Sequence, residues 1–129
     1  MKTLEKLREE YNNLNKKRNA IYRKIVELER QEVTNIFTVG ECYLDTYCKS
    51  FKKILALDGN VLYCIVVNNG NILREIYYLC DTKCWKKITL KQFKDIYLAV
   101  LKDIRDPDLD YQESNWLTVY KSIMNSVNS

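Results

Sequence analysis

Few residue types in this chain could do chemistry. It has five Cys, ten Tyr, two Trp and no His among 129 residues. Lacking His removes the commonest general base and the commonest metal ligand. Five residues separate Cys42 from Cys48 and three separate Cys80 from Cys84, so a four-thiolate zinc site is conceivable. Structural zinc knuckles leave about two to four residues between ligands, a spacing that only the second pair meets. Five reduced thiols are therefore expected, with Cys64 serving as a small hydrophobe inside an apolar strand, and no metal or cofactor is assigned.

The acidic run Asp106-Pro107-Asp108-Leu109-Asp110 opens like a calcium loop. It then places Tyr111 where the loop needs Gly and Leu117 where it needs a bidentate Glu, so a solvated linker is expected. Gly40, Gly59 and Gly70 are isolated, so no glycine-rich loop can cradle a phosphate. Glu41 and Glu75 fall on strands, where an outward, solvated carboxylate is the ordinary arrangement. No catalytic residue is assigned, and an enzyme is not expected.

The most suggestive cluster is Lys83, Trp85, Lys86 and Lys87, followed by Lys91 and Lys94. Tyr77 or Tyr78 and the pair Lys52-Lys53 could join it across a sheet. Lysines around an exposed aromatic suit single-stranded nucleic acid, through stacking and phosphate contacts. The same residues suit an acidic protein patch, with Trp and Tyr as anchors. Alternatively Trp85 belongs to the core and the lysines form a solvated edge that blunts strand pairing. A net charge of +4 is mild, which places a protein target ahead of nucleic acid. The charge is also uneven: residues 106–129 carry four acids against Lys121 alone, whereas the rest of the chain is basic.

These residues must be positioned by elements whose periodicity is legible. Leu4, Leu7, Tyr11, Leu14, Ile21, Ile25 and Leu28 keep a strict three-four spacing, interrupted where Arg18 takes an apolar slot. That is a heptad seam with Leu4, Tyr11, Arg18 and Ile25 at a and Leu7, Leu14, Ile21 and Leu28 at d. The pattern predicts a helix from about Thr3 to Glu32, with Thr3 as N-cap and Lys6 where a capping box would want Glu. So narrow a stripe needs a partner surface, either a second copy of the helix or the chain's own globule. A parallel pair gains Lys24 (g) facing Glu29 (e), and an antiparallel pair could gain Arg8 facing Glu29, so charge leaves the orientation open. At roughly four heptads with Arg18 in the middle, the helix would associate only marginally on its own.

From Val33 the period shortens to two. Strands are expected at 36–44, with Gly40 marking a bulge, and at 51–57, 61–67, 72–80 and 84–88. Asp58-Gly59 and Asn68-Asn69-Gly70-Asn71 signal tight hairpins. Residues 61–67 (VLYCIVV) are apolar on both faces, which predicts an interior strand. Thr89 and Gln92 form a capping box for a helix over about 90–105, which Pro107 stops. Asn115 caps a last helix in which Trp116, Val119, Tyr120, Ile123 and Val127 share a face.

The expected fold is α+β: an N-terminal heptad helix, a five-stranded antiparallel meander or small barrel, a covering helix and a short C-terminal helix. Residues 1–33 form an oligomerisation arm, 34–105 a β-domain with its covering helix, and 106–129 an acidic linker with a helix. No membrane-length apolar run and no secretory leader are evident, and reduced thiols fit a cytosol.

The order of a heptad helix, then VTNIFTVGECYL, then KKILALDGNVLYCIVV, then a capped helix resembles small accessory proteins of phages and mobile elements of low-GC Gram-positive bacteria. The composition, rich in Lys, Asn, Ile and Tyr, is similar to that of those genomes. The resemblance implies a cytoplasmic protein that binds and blocks a bacterial defence system, for example of CRISPR type, and it assigns no residues. The expected function is thus a non-enzymatic homo-oligomeric binding protein that meets a host or defence protein. Its candidate edge is Lys52, Lys53, Tyr77, Lys83, Trp85, Lys86, Lys87 and Lys91. The alternatives are a nucleic-acid-binding accessory protein using the same edge, and a sponge for a small nucleotide signal held between protomers.

Overall fold

A computed structural model describes residues 2–128. Its element order is α1 (Lys2–Ile36), β1 (Cys42–Asp45), β2 (Ser50–Asp58), β3 (Val61–Asn68), β4 (Asn71–Tyr78), a 3-10 turn (Leu79–Thr82), β5 (Trp85–Ile88), α2 (Leu90–Ile104), a second 3-10 turn (Tyr111–Glu113) and α3 (Asn115–Asn128). The architecture is α+β with a five-stranded antiparallel sheet, as the alternation predicts. No helix among the described residues is long and apolar enough to cross a membrane.

The first strand is shorter than the pattern of residues 36–44 predicts, because α1 runs on through Ile36. The Phe37 N–H donates to the Val33 carbonyl at 2.8 Å, extending the helical bonding, and Val33 and Phe37 are both buried. Gly40 then turns the chain with φ +93°, and its N–H bonds the Ile54 carbonyl at 2.8 Å. Burial of Phe37 therefore overrides the local strand propensity of a β-branched and aromatic run.

The sheet order is β4-β3-β2-β1-β5. β3 is interior, in keeping with its apolar faces. The β2–β3 turn has Gly59 and Asn60 as its central pair, since Asp58 pairs with Val61, and only Gly59 of the two has positive φ. The turn is thus shifted one residue from the expected Asp58-Gly59 centre. The β3–β4 turn has positive φ at both central residues, Asn69 and Gly70, as the NNGN signal requires. A bulge in β2 between Ile54 and Ala56 adds a local bend.

β5 returns to pair with β1, at the far edge from β4. A flat sheet would hold the two edge strands roughly 19 Å apart, four strand spacings. Yet the rings of Tyr77 (β4) and Trp85 (β5) have centroids 5.2 Å apart. The sheet is therefore strongly curled, and the short 3-10 turn suffices to bridge its edges.

Each face carries its own core. On one, Cys42, Leu44, Phe51, Val67 and Ile88 pack against Phe93, Ile96 and Val100 of α2 and Trp116 and Ile123 of α3. In the concave face, Tyr43, Ile54, Leu62, Cys64 and Val66 meet Val33 and Phe37 from the end of α1. The Thr89–Gln92 capping box forms as expected, with bonds of 3.0 and 2.9 Å. α3 is capped from elsewhere: Asp103 of α2 accepts from the backbone N–H groups of Asn115 (2.9 Å) and Trp116 (2.8 Å) and from the Asn115 side chain (2.7 Å).

Candidate functional site: an exposed helical arm and a lysine-rich sheet edge

The arm is one helix of 35 residues, about 52 Å long. Only its final turns touch the globule, along a stripe of Val26, Glu29 and Val33, the first two half-buried and the last fully buried. These are b and e positions, set roughly 100° around the helix from the middle of the a/d seam. Glu29 Oε2 accepts a hydrogen bond from Asn60 Nδ2 at 3.1 Å. The seam consequently stays in water: Leu4, Leu7, Tyr11, Leu14, Ile21, Ile25 and Leu28 are each 47–64% exposed. Arg18 is exposed with them.

The predicted binding edge separates into three places. Lys83, Lys86, Lys87 and Lys91 are exposed, along β5 and the start of α2. Lys87 Nζ lies 2.5 Å from Glu41 Oε2, and Lys91 Nζ lies 3.2 Å from Asp95 Oδ2. The Lys87 hydrogen bond is the main cause of a lowered Glu41 pKa, helped by the Thr38 N–H against the effect of burial. Lys83 and Lys86 make no ion pair among the described residues. Lys53 lies on the opposite sheet face from Lys52 and borders an apolar groove of about 530 Å³ with Phe93 and Tyr97.

Lys52, Tyr77 and Trp85 do come together, but inside the concave face. Lys52 is only 2% exposed. Its Nζ donates to Ser50 Oγ at 2.7 Å and to Tyr77 OH at 2.9 Å, with Asp45 Oδ2 at 4.0 Å. It also sits over the rings of Tyr77 (4.3 Å) and Trp85 (5.5 Å). Tyr77 OH in turn donates to the Glu75 carboxylate. Phe37 and Tyr43 complete the cage in edge-on or tilted contact with Trp85. Trp85 Nε1 is buried without a hydrogen-bond partner in this cage.

Burial sets the electrostatics of the cage. It lowers the Lys52 pKa, and the attraction of Asp45 and Glu75 only partly opposes this. Burial pushes the Tyr43 hydroxyl and the Cys64 thiol each up to about 12, with Glu41 adding to the first. Tyr77 is raised by burial and by its bond to Glu75. The result is an ammonium already caged by its own chain, bonded to Ser50 of β2 and Tyr77 of β4 and lying over the Trp85 ring of β5.

Asp45 and Ser50 complete this network and were not among the residues singled out by pattern, whereas Glu75, expected as an outward carboxylate, is exposed and accepts from Tyr77 OH. A signal was present: Lys52 and Ile54 are two apart in one strand, so an inward Ile54 implies an inward Lys52. Nothing local ties Glu75 to Lys52, because their approach depends on the curl. Of the Cys residues, Cys42 and Cys64 are buried and Cys48, Cys80 and Cys84 exposed, all as free thiols. Among the described residues, no three Cys, Asp or Glu side chains gather as a metal site would need. No family model, curated protein or solved structure matches the chain.

Proposed function

We propose that this chain is a non-enzymatic, homo-oligomeric binding protein whose target is a host or defence protein of the bacterial cytoplasm, of the kind a phage-encoded inhibitor would block. The observation that carries the proposal is the arm: seven large apolar side chains stay about half exposed along one seam that the chain's own globule leaves uncovered. Contiguous exposed apolar surface of this extent marks an interaction site. The globule, tethered at the arm's base, would then be presented in more than one copy, which raises avidity without new contacts. Lys83 and Lys86, exposed and without ion pairs among the described residues, are charged groups of this edge left to meet an acidic patch on a target.

The test is affinity capture from host extract with the tagged wild type, an arm variant (Leu14→Lys with Ile21→Lys) and an edge variant (Lys83→Glu with Lys86→Glu). One protein captured by the wild type, weakly by the arm variant and not by the edge variant supports the proposal. Equal capture by all three, or none by any, overturns it. The same two free lysines also favour a second possibility, nucleic-acid binding. In that case log affinity for an oligonucleotide should fall steeply with log salt, and absence of binding at low salt eliminates it.

A further inference from the structure

We infer that the arm pairs with a second copy of itself in antiparallel, full-length overlap, placing the two globules at opposite ends of a two-helix rod. The inference rests on the proposal that α1 is an oligomer seam, and deepens it by fixing partner, direction and register. With antiparallel a-against-d layers centred near Lys16, every seam position finds a counterpart: Leu4 with Leu28, Leu7 with Ile25, Tyr11 with Ile21, Leu14 with Arg18, and the same again by symmetry. Each seam side chain leaves on the order of 100 Å² in water, so pairing would cover on the order of 1,200–1,500 Å² in all, the range of stable, specific interfaces.

The flanking charges choose the direction. In an antiparallel pair, g faces g and e faces e, and flanking residues of this kind set partner orientation. In the full-overlap register Glu10 (g) faces Lys24 (g) of the second copy, twice. Arg8 (e) faces Tyr22 (e), also twice, a cation over a ring that is 66% exposed in the single chain. Among the described residues, Arg8, Glu10 and Lys24 make no ion pair within their own chain, so all are free for a partner. One like-charge contact remains, Lys17 with its own copy at the two-fold axis.

The parallel arrangement does worse on two counts. It stacks Arg18 on Arg18 in a central a layer, whereas the antiparallel register sets Arg18 against Leu14. Its flanks offer Lys17 beside Tyr22, a cation–ring contact that only matches the antiparallel Arg8–Tyr22, and one ion pair, Lys24 with Glu29, which draws on a carboxylate that is half-buried at the root of the arm and already bonded to Asn60. The antiparallel Arg8–Glu29 contact loses its partner for the same reason, which leaves Arg8 to Tyr22.

Charge reversal with mixing tests this. Glu10→Lys and Lys24→Glu each create two repulsive contacts in an antiparallel homodimer and should raise its dissociation constant roughly tenfold. An equimolar mixture of the two variants restores both contacts in the heterodimer, and should recover wild-type affinity by sedimentation equilibrium. In a parallel pair Glu10 faces Asn15, so Glu10→Lys is silent and mixing rescues nothing. A wild type that stays at 15.4 kDa at all concentrations sinks the oligomer proposal itself. A dimer whose single variants are not rescued by mixing leaves that proposal standing and overturns the antiparallel register.

Discussion

Lys52 offers the sharpest test of how this sheet is held curled. The comparison is Lys52→Met against Lys52→Ala. The ammonium donates to Ser50 and Tyr77 and lies 4.0 Å from Asp45. Hydrogen bonds from a charged donor are worth about 1.5–3 kcal/mol each, but burying the charge costs several kcal/mol. The direction of its pKa decides between them: it is lowered, so burial outweighs the attraction of Asp45 and Glu75. Methionine keeps most of the stem and removes the charge. It strands the buried Ser50 Oγ, a cost offset by no longer burying a charge, while Asp45 Oδ1 still accepts from the Tyr47 and Cys48 N–H groups and Tyr77 still donates to Glu75. Lys52→Met should therefore stay within about 1 kcal/mol of the wild type. Alanine removes three buried methylene groups at about 0.8 kcal/mol each and leaves a cavity, so Lys52→Ala should cost about 3–4 kcal/mol. Urea unfolding at one fixed chain concentration reads the difference, with the alanine midpoint lower by about 1–2 M at unchanged slope. If methionine falls as far as alanine, the ammonium rather than its stem holds the two sheet edges together, and its bonds outweigh the cost of burying it.

Other expectations are simpler. Leu14→Lys with Ile21→Lys should yield a monomer by light scattering. It should also lower helix content at 222 nm, since most of a helix's stability comes from packing its apolar face and the arm then keeps only the contacts of its final turns; unchanged mass and helicity would show that the seam is not an interface. Asp103→Ala removes the acceptor that caps α3 and should cost about 1–3 kcal/mol by thermal unfolding. Burial opposes ionisation of Asp103, but the bonds from Trp116 and Asn115 carry its pKa below 3.8. Its contribution is therefore complete above that unfolded value and is lost as pH falls through the lower folded one, so the variant should lose less stability than the wild type on acidification below about pH 4. Gly70→Ala places a Cβ 2.8 Å from Trp116 Nε1 at φ +83°. It should cost about 2–3 kcal/mol and shift Trp116 fluorescence, and a neutral effect would mean that α3 does not press on the β3–β4 turn.

What sequence alone determined is whatever depends on near neighbours in the chain. The heptad spacing, the Thr89–Gln92 box, the NNGN turn and the alternation of five strands are local, because helix and strand periods and turn dihedrals are set within a few residues. The strict a/d stripe of α1 follows from the same locality, but its exposure does not, because the stripe left the chain's own globule open as its cover. Tertiary structure decided what depends on the curl. Strand order put β5 beside β1, and the curl brought Trp85 within ring contact of Tyr77. Lys52 and Trp85, legible as a basic-aromatic surface, thereby became a closed cage with Asp45, Ser50 and Glu75. The end of α1 displaced the expected first strand for a similar reason: only the concave face supplies a site where Phe37 can be buried. Similarly, Asp103 caps a helix twelve residues away, a partnership invisible to any local pattern. Periodicity shows which residues share a face; only three-dimensional packing shows what that face meets.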